Sequence, residues 1–248
     1  MKNNLPRVLC HFSCGAPSAV ATKLAIQKYG KERVTIININ IQEEHPDNKR
    51  FLKDCEEWFG MSVTTVQNEK YNGSIYEVFK QGYLKGIYGA PCTTQLKRKV
   101  RESFQCDDDI HVFGFTLEEE QRAQDFNDRN EALETEWILI EQGVSRNDCL
   151  GILQGVGIEI PMMYKLGYNN NNCVGCVKGG MGYWNKIRKD FPDVFVRMSM
   201  VERDIGHAIL KDKDGAVWLD ELEPKRGRMS DEPDIECSLI CTGALNSF

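Results

Sequence analysis

No stretch of this chain approaches the roughly 20 consecutive apolar residues that a membrane-spanning helix requires, so no bilayer-embedded segment and no membrane partner are expected. Positive charge is also scarce. The 31 Lys and Arg face 37 Asp and Glu, a formal net charge of −6, which argues against a protein that coats nucleic acid through its overall charge. The opening MKNNLPRV has no apolar secretion-signal core, and neither an internal repeat nor a low-complexity linker is present. Cysteine, by contrast, is plentiful, with ten in 248 residues. Without a secretion signal this points to a reducing cytoplasm, where thiols bind metal, catalyse or pack rather than form disulfides. With 41% hydrophobic and 27% charged residues the composition is that of an ordinary globular protein. The length suits one large α/β domain or a domain with an extension.

The chain is organised around Val8 to Tyr29. Val8 to Phe12 is a short apolar run, a buried strand. Ser13-Cys14-Gly15-Ala16-Pro17-Ser18 is a turn of small residues, and Ala19, Val20, Leu24 and Ala25 then repeat at helical spacing, with Gly30 as the stop. Strand, tight turn and helix together aim backbone N–H groups and a positive helix end at an anion. Pro17 suits the first helical turn, where a missing donor costs nothing, and Ser13 and Ser18 add hydroxyl donors. Ser13 to Ser18 therefore reads as a phosphate cradle, against the alternative of an ordinary βα turn.

A second strand, Val34 to Ile41, alternates Ile37, Ile39 and Ile41 with Asn38 and Asn40. A helix after Pro46 carries the stripe Phe51, Leu52, Cys55, Trp58 and Phe59 and ends at Gly60, and Met61 to Val66 is a third strand. Two βα units in succession predict a doubly wound, mostly parallel sheet. Helices are expected over Ser74–Tyr83, Thr93–Phe104, Leu117–Asn130 and from Ser145 to about Leu153, with a strand at Ile110–Phe115. Trp137–Ile140 is a short strand or a helix start, and Ile160–Tyr164 a short helix or turn. After Gly167 the character changes. Residues 1–166 are expected to form a nucleotide-binding α/β domain and 167–248 a cysteine-containing C-terminal extension of helices (Tyr183–Arg188, Val194–Ile205) and a hairpin (Ala208–Leu222).

The cysteines divide. Cys10, Cys55, Cys106 and Cys149 read as packing residues. Cys173-x-x-Cys176 before Gly179-Gly180 has the form of a metal knuckle whose glycines let N–H groups approach sulfur. Cys237-x-x-x-Cys241 supplies a second pair. Four thiolates suit structural zinc or a [4Fe-4S] cluster, and Cys173, Cys176, Cys237 and Cys241 are expected to share one metal. A redox motif is the alternative for the first pair. Glu44 and His45, just past the second strand, lie where such sheets place ligand contacts.

Three segments resemble one family. Ser13–Ser18 looks like a variant of the S-G-G-x-D-S pyrophosphate loop. Cys92-Thr93-Thr94-Gln95-Leu96-Lys97 looks like the C-T-x-x-L-K segment of phosphoadenosine phosphosulfate (PAPS) reductase-like proteins. Gly114-Phe115-Thr116-Leu117-Glu118-Glu119-Glu120-Gln121-Arg122 looks like their G-I-R-x-x-E-S-x-R segment. Their order is similar to that of the adenine nucleotide α-hydrolase (PP-loop) superfamily, which the reductases share with ATP-dependent tRNA-thiolating and amidating enzymes. In the cradle Cys14 replaces the first glycine and Pro17 the aspartate, a carboxylate beside the phosphates that bears on magnesium-ATP cleavage. Thr116 replaces an arginine of the third segment.

The resemblance implies an adenine nucleotide on Ser13, Cys14, Gly15, Ala16, Pro17, Ser18 and Gly114. Lys97, Glu119, Arg122 and Cys92 would be catalytic, with magnesium as a further candidate cofactor. The bland alternatives are a solvated basic face for Lys97 and a surface pair for Glu119 and Arg122. In cluster-bearing relatives, cysteines near Cys92 join a later C-x-x-C, so Cys92, Cys173 and Cys176 with Cys237 or Cys241 is an alternative ligand set. Glu236-Cys237-Ser238-Leu239 also resembles the E-C-G-L segment of the reductases' nucleophile. The expected function is ATP-dependent adenylation of an acceptor, a nucleic acid or nucleobase among the candidates, for sulfur or nitrogen insertion. A PAPS reductase, or a nucleotide-binding module with reduced catalysis, is the alternative.

Overall fold

The computed structural model describes residues 5–86 and 89–232. In chain order the elements are β1 (Val8–His11), α1 (Ala16–Tyr29), β2 (Val34–Ile39), α2 (Asn48–Phe59), β3 (Thr64–Val66) and α3 (Ile75–Phe79). A π-helical segment (Thr93–Arg98) runs into α4 (Lys99–Phe104), followed by β4 (Ile110–Val112), α5 (Glu120–Arg129), β5 (Glu134–Glu136), α6 (Ile138–Glu141), α7 (Arg146–Gly155) and α8 (Met162–Lys165). Then come α9 (Met181–Asp190), α10 (Pro192–Ile205) and the strands β6 (Leu210–Asp212) and β7 (Gly215–Val217). Two compact units interleave in sequence. The first holds the described residues of Met1–Asn40, Pro46–Val66 and Glu102–Asn171, and the second those of Ile41–His45, Gln67–Arg101 and Asn172–Phe248.

The first unit is a mixed α/β structure on a five-stranded sheet of order β3-β2-β1-β4-β5, parallel at every pairing. β1 sits at the centre because all four of its residues are buried and none needs water. One face carries Val8, Cys10 and Phe12 with Val34, Ile36 and Val112 against α1, α2, α6 and α7. The other carries an aromatic layer. His11 stacks on Phe113 at 4.4 Å, and Phe113 meets Phe126 of α5 at 5.1 Å and Trp137 at 5.7 Å. Both faces are therefore covered, as the doubly wound reading requires. The order reverses between β1 and β4, a topological switch point, whose carboxyl-end crevice is where such sheets bind ligands.

The entry to both central strands is fixed by charge. Arg7 donates two hydrogen bonds to Asp109, 2.7 and 2.6 Å, just before β1 and β4 respectively. The fully buried carboxylate also receives the Cys106 N–H at 2.8 Å. Burial alone would raise the Asp109 pKa, but Arg7 and the Cys106 N–H hold it below the ordinary carboxylate value.

Departures from the sequence expectations have local causes. β5 is the polar Glu-Thr-Glu at a sheet edge, so it carries no apolar signal, and Trp137–Ile140 resolves as the start of α6. In β2 the polar member of the alternation, Asn38, does not face water. Asn38 is buried and its amide donates to Phe12 O at 2.9 Å. The helix expected over Ser74–Tyr83 spans only Ile75–Phe79, and Gly82 turns the chain at φ +97°. Cys106 is exposed, not a packing residue. Cys10, Cys55 and Cys149 are buried, and burial raises each of their thiol pKa values, which keeps them protonated and inert.

In the second unit α9 and α10 pack around Tyr183, Trp184 and Phe195. Fully buried Glu202 on α10 receives the N–H groups of Ile209 and Leu219 at 2.5 and 2.7 Å, and so ties both sides of the β6–β7 hairpin to the helix. Glu43 does similar work near α3. Its carboxylate receives Ser74 Oγ at 2.6 Å and Ile75 N–H at 2.9 Å, and its carbonyl receives Val174 N–H at 2.8 Å.

Asp109→Asn should lower stability by about 1–3 kcal/mol, as expected on breaking a charged hydrogen-bond pair. Because the folded pKa of Asp109 is depressed, its contribution is present above the unfolded value of about 3.9 and is lost as pH falls through the folded value. Urea unfolding across the acid range should show the variant with a shallower acid limb than the parent.

Candidate functional site

The turn between β1 and α1 lies at the switch point. Cys14 adopts φ +56°, the left-handed conformation for which a glycine is usual and which costs a non-glycine residue roughly 1–2 kcal/mol. The Cys14 sulfur is buried, 3.5 Å from Asn38 Nδ2. Gly15 precedes α1 without a side-chain cap, and Pro17 occupies the first turn. The helix therefore begins with backbone donors and a positive dipole end.

Ser13 and Ser18 do not offer their hydroxyls outward as the sequence reading expected. Ser18 Oγ receives Ser13 N–H at 3.1 Å and lies 3.2 Å from Ser13 Oγ, and it donates to Gly15 O at 2.9 Å. The two serines staple the turn shut upon itself, which presets its shape.

Gly114, which leaves β4, touches this turn directly. A Cβ there would lie 2.4 Å from Ser18 N, 2.5 Å from Ser18 Cα and 2.8 Å from Pro17 C. All three are backbone atoms that cannot swing aside, so only glycine fits. The first and third resembled segments are therefore in contact at the carboxyl ends of β1 and β4. Beyond Gly114, Thr116 and Glu119 form a capping box. Arg122 pairs with Glu119 and lies over the Phe115 ring at 4.4 Å. Both members of the pair are mostly buried, with side-chain exposures of 17% and 16%, so it is no solvated surface pair.

Sequence reasoning missed two further residues at the turn. Tyr164, from α8, places its hydroxyl 3.3 Å from where a Gly15 Cβ would stand. Its phenol pKa is pushed up to about 12 by burial, with the nearby backbone of Ala16 and Asn171 pulling the other way. Buried Asn171 donates from Nδ2 to Cys14 O at 2.7 Å and to Asn48 Oδ1 at 2.8 Å. Neither residue falls in a recognisable pattern; only the tertiary contact reveals it.

The second unit holds Lys97 and Cys92. The predicted basic helix begins as the π-helical segment Thr93–Arg98. Such i→i+5 turns are rare and frequently mark functional positions. Cys92 leads into it and is buried, as is Thr93, whose hydroxyl finds no partner. Lys97 is mostly buried, with its ammonium 3.9 Å from Glu44, and His45 packs edge-on against Phe191 at 5.9 Å.

Cys173 and Cys176 are buried on the turn around Gly175, which has φ +79°. The expected N–H groups toward sulfur have other acceptors. Gly175 and Cys176 donate to Tyr183 Oη at 3.0 and 2.9 Å, Gly179 to Cys176 O at 3.0 Å, and Gly180 to Glu232 at 2.7 Å. Among the described residues no three Cys, His, Asp or Glu side chains group closely enough to hold a metal ion. Cys237 and Cys241 lie outside the described residues.

No protein-family model matches the sequence, and no curated protein matches it. Among solved structures the chain is similar to the U34-tRNA thiolase NcsA from Methanococcus maripaludis with its [4Fe-4S] cluster. The TM-score is 0.39 and the identity 14%, over 86% of this chain and 75% of that one.

The contact at Gly114 makes a direct prediction. Gly114→Ala should destabilise the protein by about 1–3 kcal/mol through overpacking, and amide exchange should quicken first at Ser18 and its neighbours. A fully tolerated alanine would show that the two segments are not in contact.

Proposed function

We propose that this protein is an adenine-nucleotide enzyme resembling the PAPS reductase-like branch of the PP-loop superfamily. It binds ATP on the Ser13–Ser18 turn and uses it to adenylate an acceptor for sulfur or nitrogen insertion. The observation that carries the reading is the contact of the Ser13–Ser18 and Gly114–Arg122 segments at the switch point, where a doubly wound sheet binds its ligand. In the reaction an acceptor oxygen forms a bond to the α-phosphorus as the bond to the bridging oxygen breaks, and pyrophosphate carries away the electron pair. The backbone N–H groups at the start of α1 offset the developing charge, with Lys97 and Arg122 as the cations. Glu119 positions Arg122, and Cys92 opens the segment that presents Lys97. The acceptor is a nucleobase in a nucleic acid, reached through a local surface because the chain as a whole is acidic.

The donor set that would hold zinc or a [4Fe-4S] cluster is Cys173, Cys176, Cys237 and Cys241. Two buried thiols on one turn supply half of it. A tether supports the other half. Glu232 receives Gly180 and Gly182 N–H at 2.7 Å each, at the start of α9, and Cys237 follows Glu232 by five residues, a reach of at most ~18 Å. The bound group would supply folding free energy to the second unit, and metal analysis after anaerobic purification separates zinc from iron–sulfur.

Calorimetric titration tests the nucleotide reading. ATP should bind the parent, and Lys97→Ala should weaken it about tenfold at low salt and less at high salt, as for a charged contact. Absence of ATP binding, or much tighter binding of a sulfonucleotide, would replace this reading, the latter by the reductase.

A further inference from the structure

Asn171 carries one polar atom that the fold does not use. The residue is only 7% exposed. Its Nδ2 donates to Cys14 O at 2.7 Å and to Asn48 Oδ1 at 2.8 Å. The first of these bonds fixes which way the amide faces, because a flipped amide would set its oxygen against the Cys14 carbonyl. Oδ1 is then left without a hydrogen-bond partner. A buried acceptor with nothing to accept is costly, and a native fold that keeps one calls for a reason.

The place of this oxygen limits what it can receive. It shares a carbon atom with the nitrogen that binds Cys14 O, so it stands beside the turn whose next residue, Gly15, is the N-cap of α1. That helix is 14 residues long and begins without a side-chain cap, so its first N–H groups suit the phosphates of a ligand. Ionised phosphates have no donor to offer Oδ1. Outward from the α-phosphate of a nucleotide, the first donors are the 2′- and 3′-hydroxyls of the ribose. The adenine amine lies beyond them, on the far side of the base.

We propose that Asn171 is the residue by which this site reads ribose: its Oδ1 accepts one hydroxyl of the sugar while its Nδ2 keeps hold of the turn beside the phosphates. The proposal rests on the nucleotide reading above and adds to it a selection for the intact ribonucleotide over a deoxy form. Burial has already withdrawn the oxygen from solvent, so an analogue lacking the hydroxyl leaves a buried acceptor unpaired, the situation in which binding sites discriminate most sharply. Side-chain rotation on binding is common and gives the hydroxyl its path.

The test is calorimetric titration of ATP, 2′-deoxy-ATP and 3′-deoxy-ATP into the full-length protein and into Asn171→Ala. One deoxy analogue should bind the parent on the order of tenfold more weakly than ATP, and the variant should bind all three alike. The readout is the ratio between nucleotides, so a general loss of affinity from the missing bond to Cys14 does not enter it. In the parent alone, ATP should shift the Asn171 side-chain carbonyl carbon resonance and the weaker deoxy analogue should not, whether or not the variant folds. Equal binding of the three nucleotides by the parent, or discrimination that persists in Asn171→Ala, overturns the proposal while the nucleotide reading stands. So does an Asn171 resonance that ATP leaves unmoved. Absence of ATP binding by the parent removes the nucleotide reading and this proposal with it.

Discussion

The backbone of Gly114 rests against the first turn of α1 with no space for a side chain between them. That contact joins the exits of the two strands on either side of the switch point, and the rest of the first unit is arranged to permit it. β1 and β4 must be in register, which their pairing from Val8 with Ile110 to Cys10 with Val112 provides. Their entrances must be held, which Arg7 and Asp109 do at the opposite end. The turn itself must keep one shape, which the Ser13–Ser18 bonds and the left-handed Cys14 impose. A turn held this rigidly loses little entropy when it binds an anion.

The same rigidity clarifies the two substitutions that set this loop apart from the one it resembles. Cys14 holds the left-handed conformation that glycine adopts most readily, with a buried sulfur and some backbone strain. Pro17 removes a carboxylate but sits where a helix tolerates a missing donor. With both residues in place α1 still begins on free backbone geometry, with no side-chain cap at Gly15.

How much could be read in advance depended on whether a residue's role was local. Val8–Tyr29 was legible because a buried strand and a helix each carry their own periodicity, and Ser145 was legible because a capping box is a short-range pattern that Asp148 completes. β5 was hidden because Glu134–Glu136 is a polar edge, and the π-helical turn at Thr93–Arg98 because an extra residue in a helical turn leaves the composition unchanged. Glu43, Tyr164 and Asn171 were passed over for a third reason: each acts through partners distant in sequence. Expectations about individual donors were the least secure. Ser13, Gly179 and Gly180 lie outside the helices as expected, while Ser18 already belongs to α1, and the donors of all four serve the protein's own acceptors.

The central claim is that the β1–α1 turn is the seat of a nucleotide's phosphates. A crystal structure with the non-hydrolysable α,β-methylene analogue of ATP tests it most directly. The account predicts phosphate density over Gly15 to Ser18, within hydrogen-bonding distance of the first N–H groups of α1. Ordered nucleotide bound elsewhere, with this turn unoccupied, would contradict it.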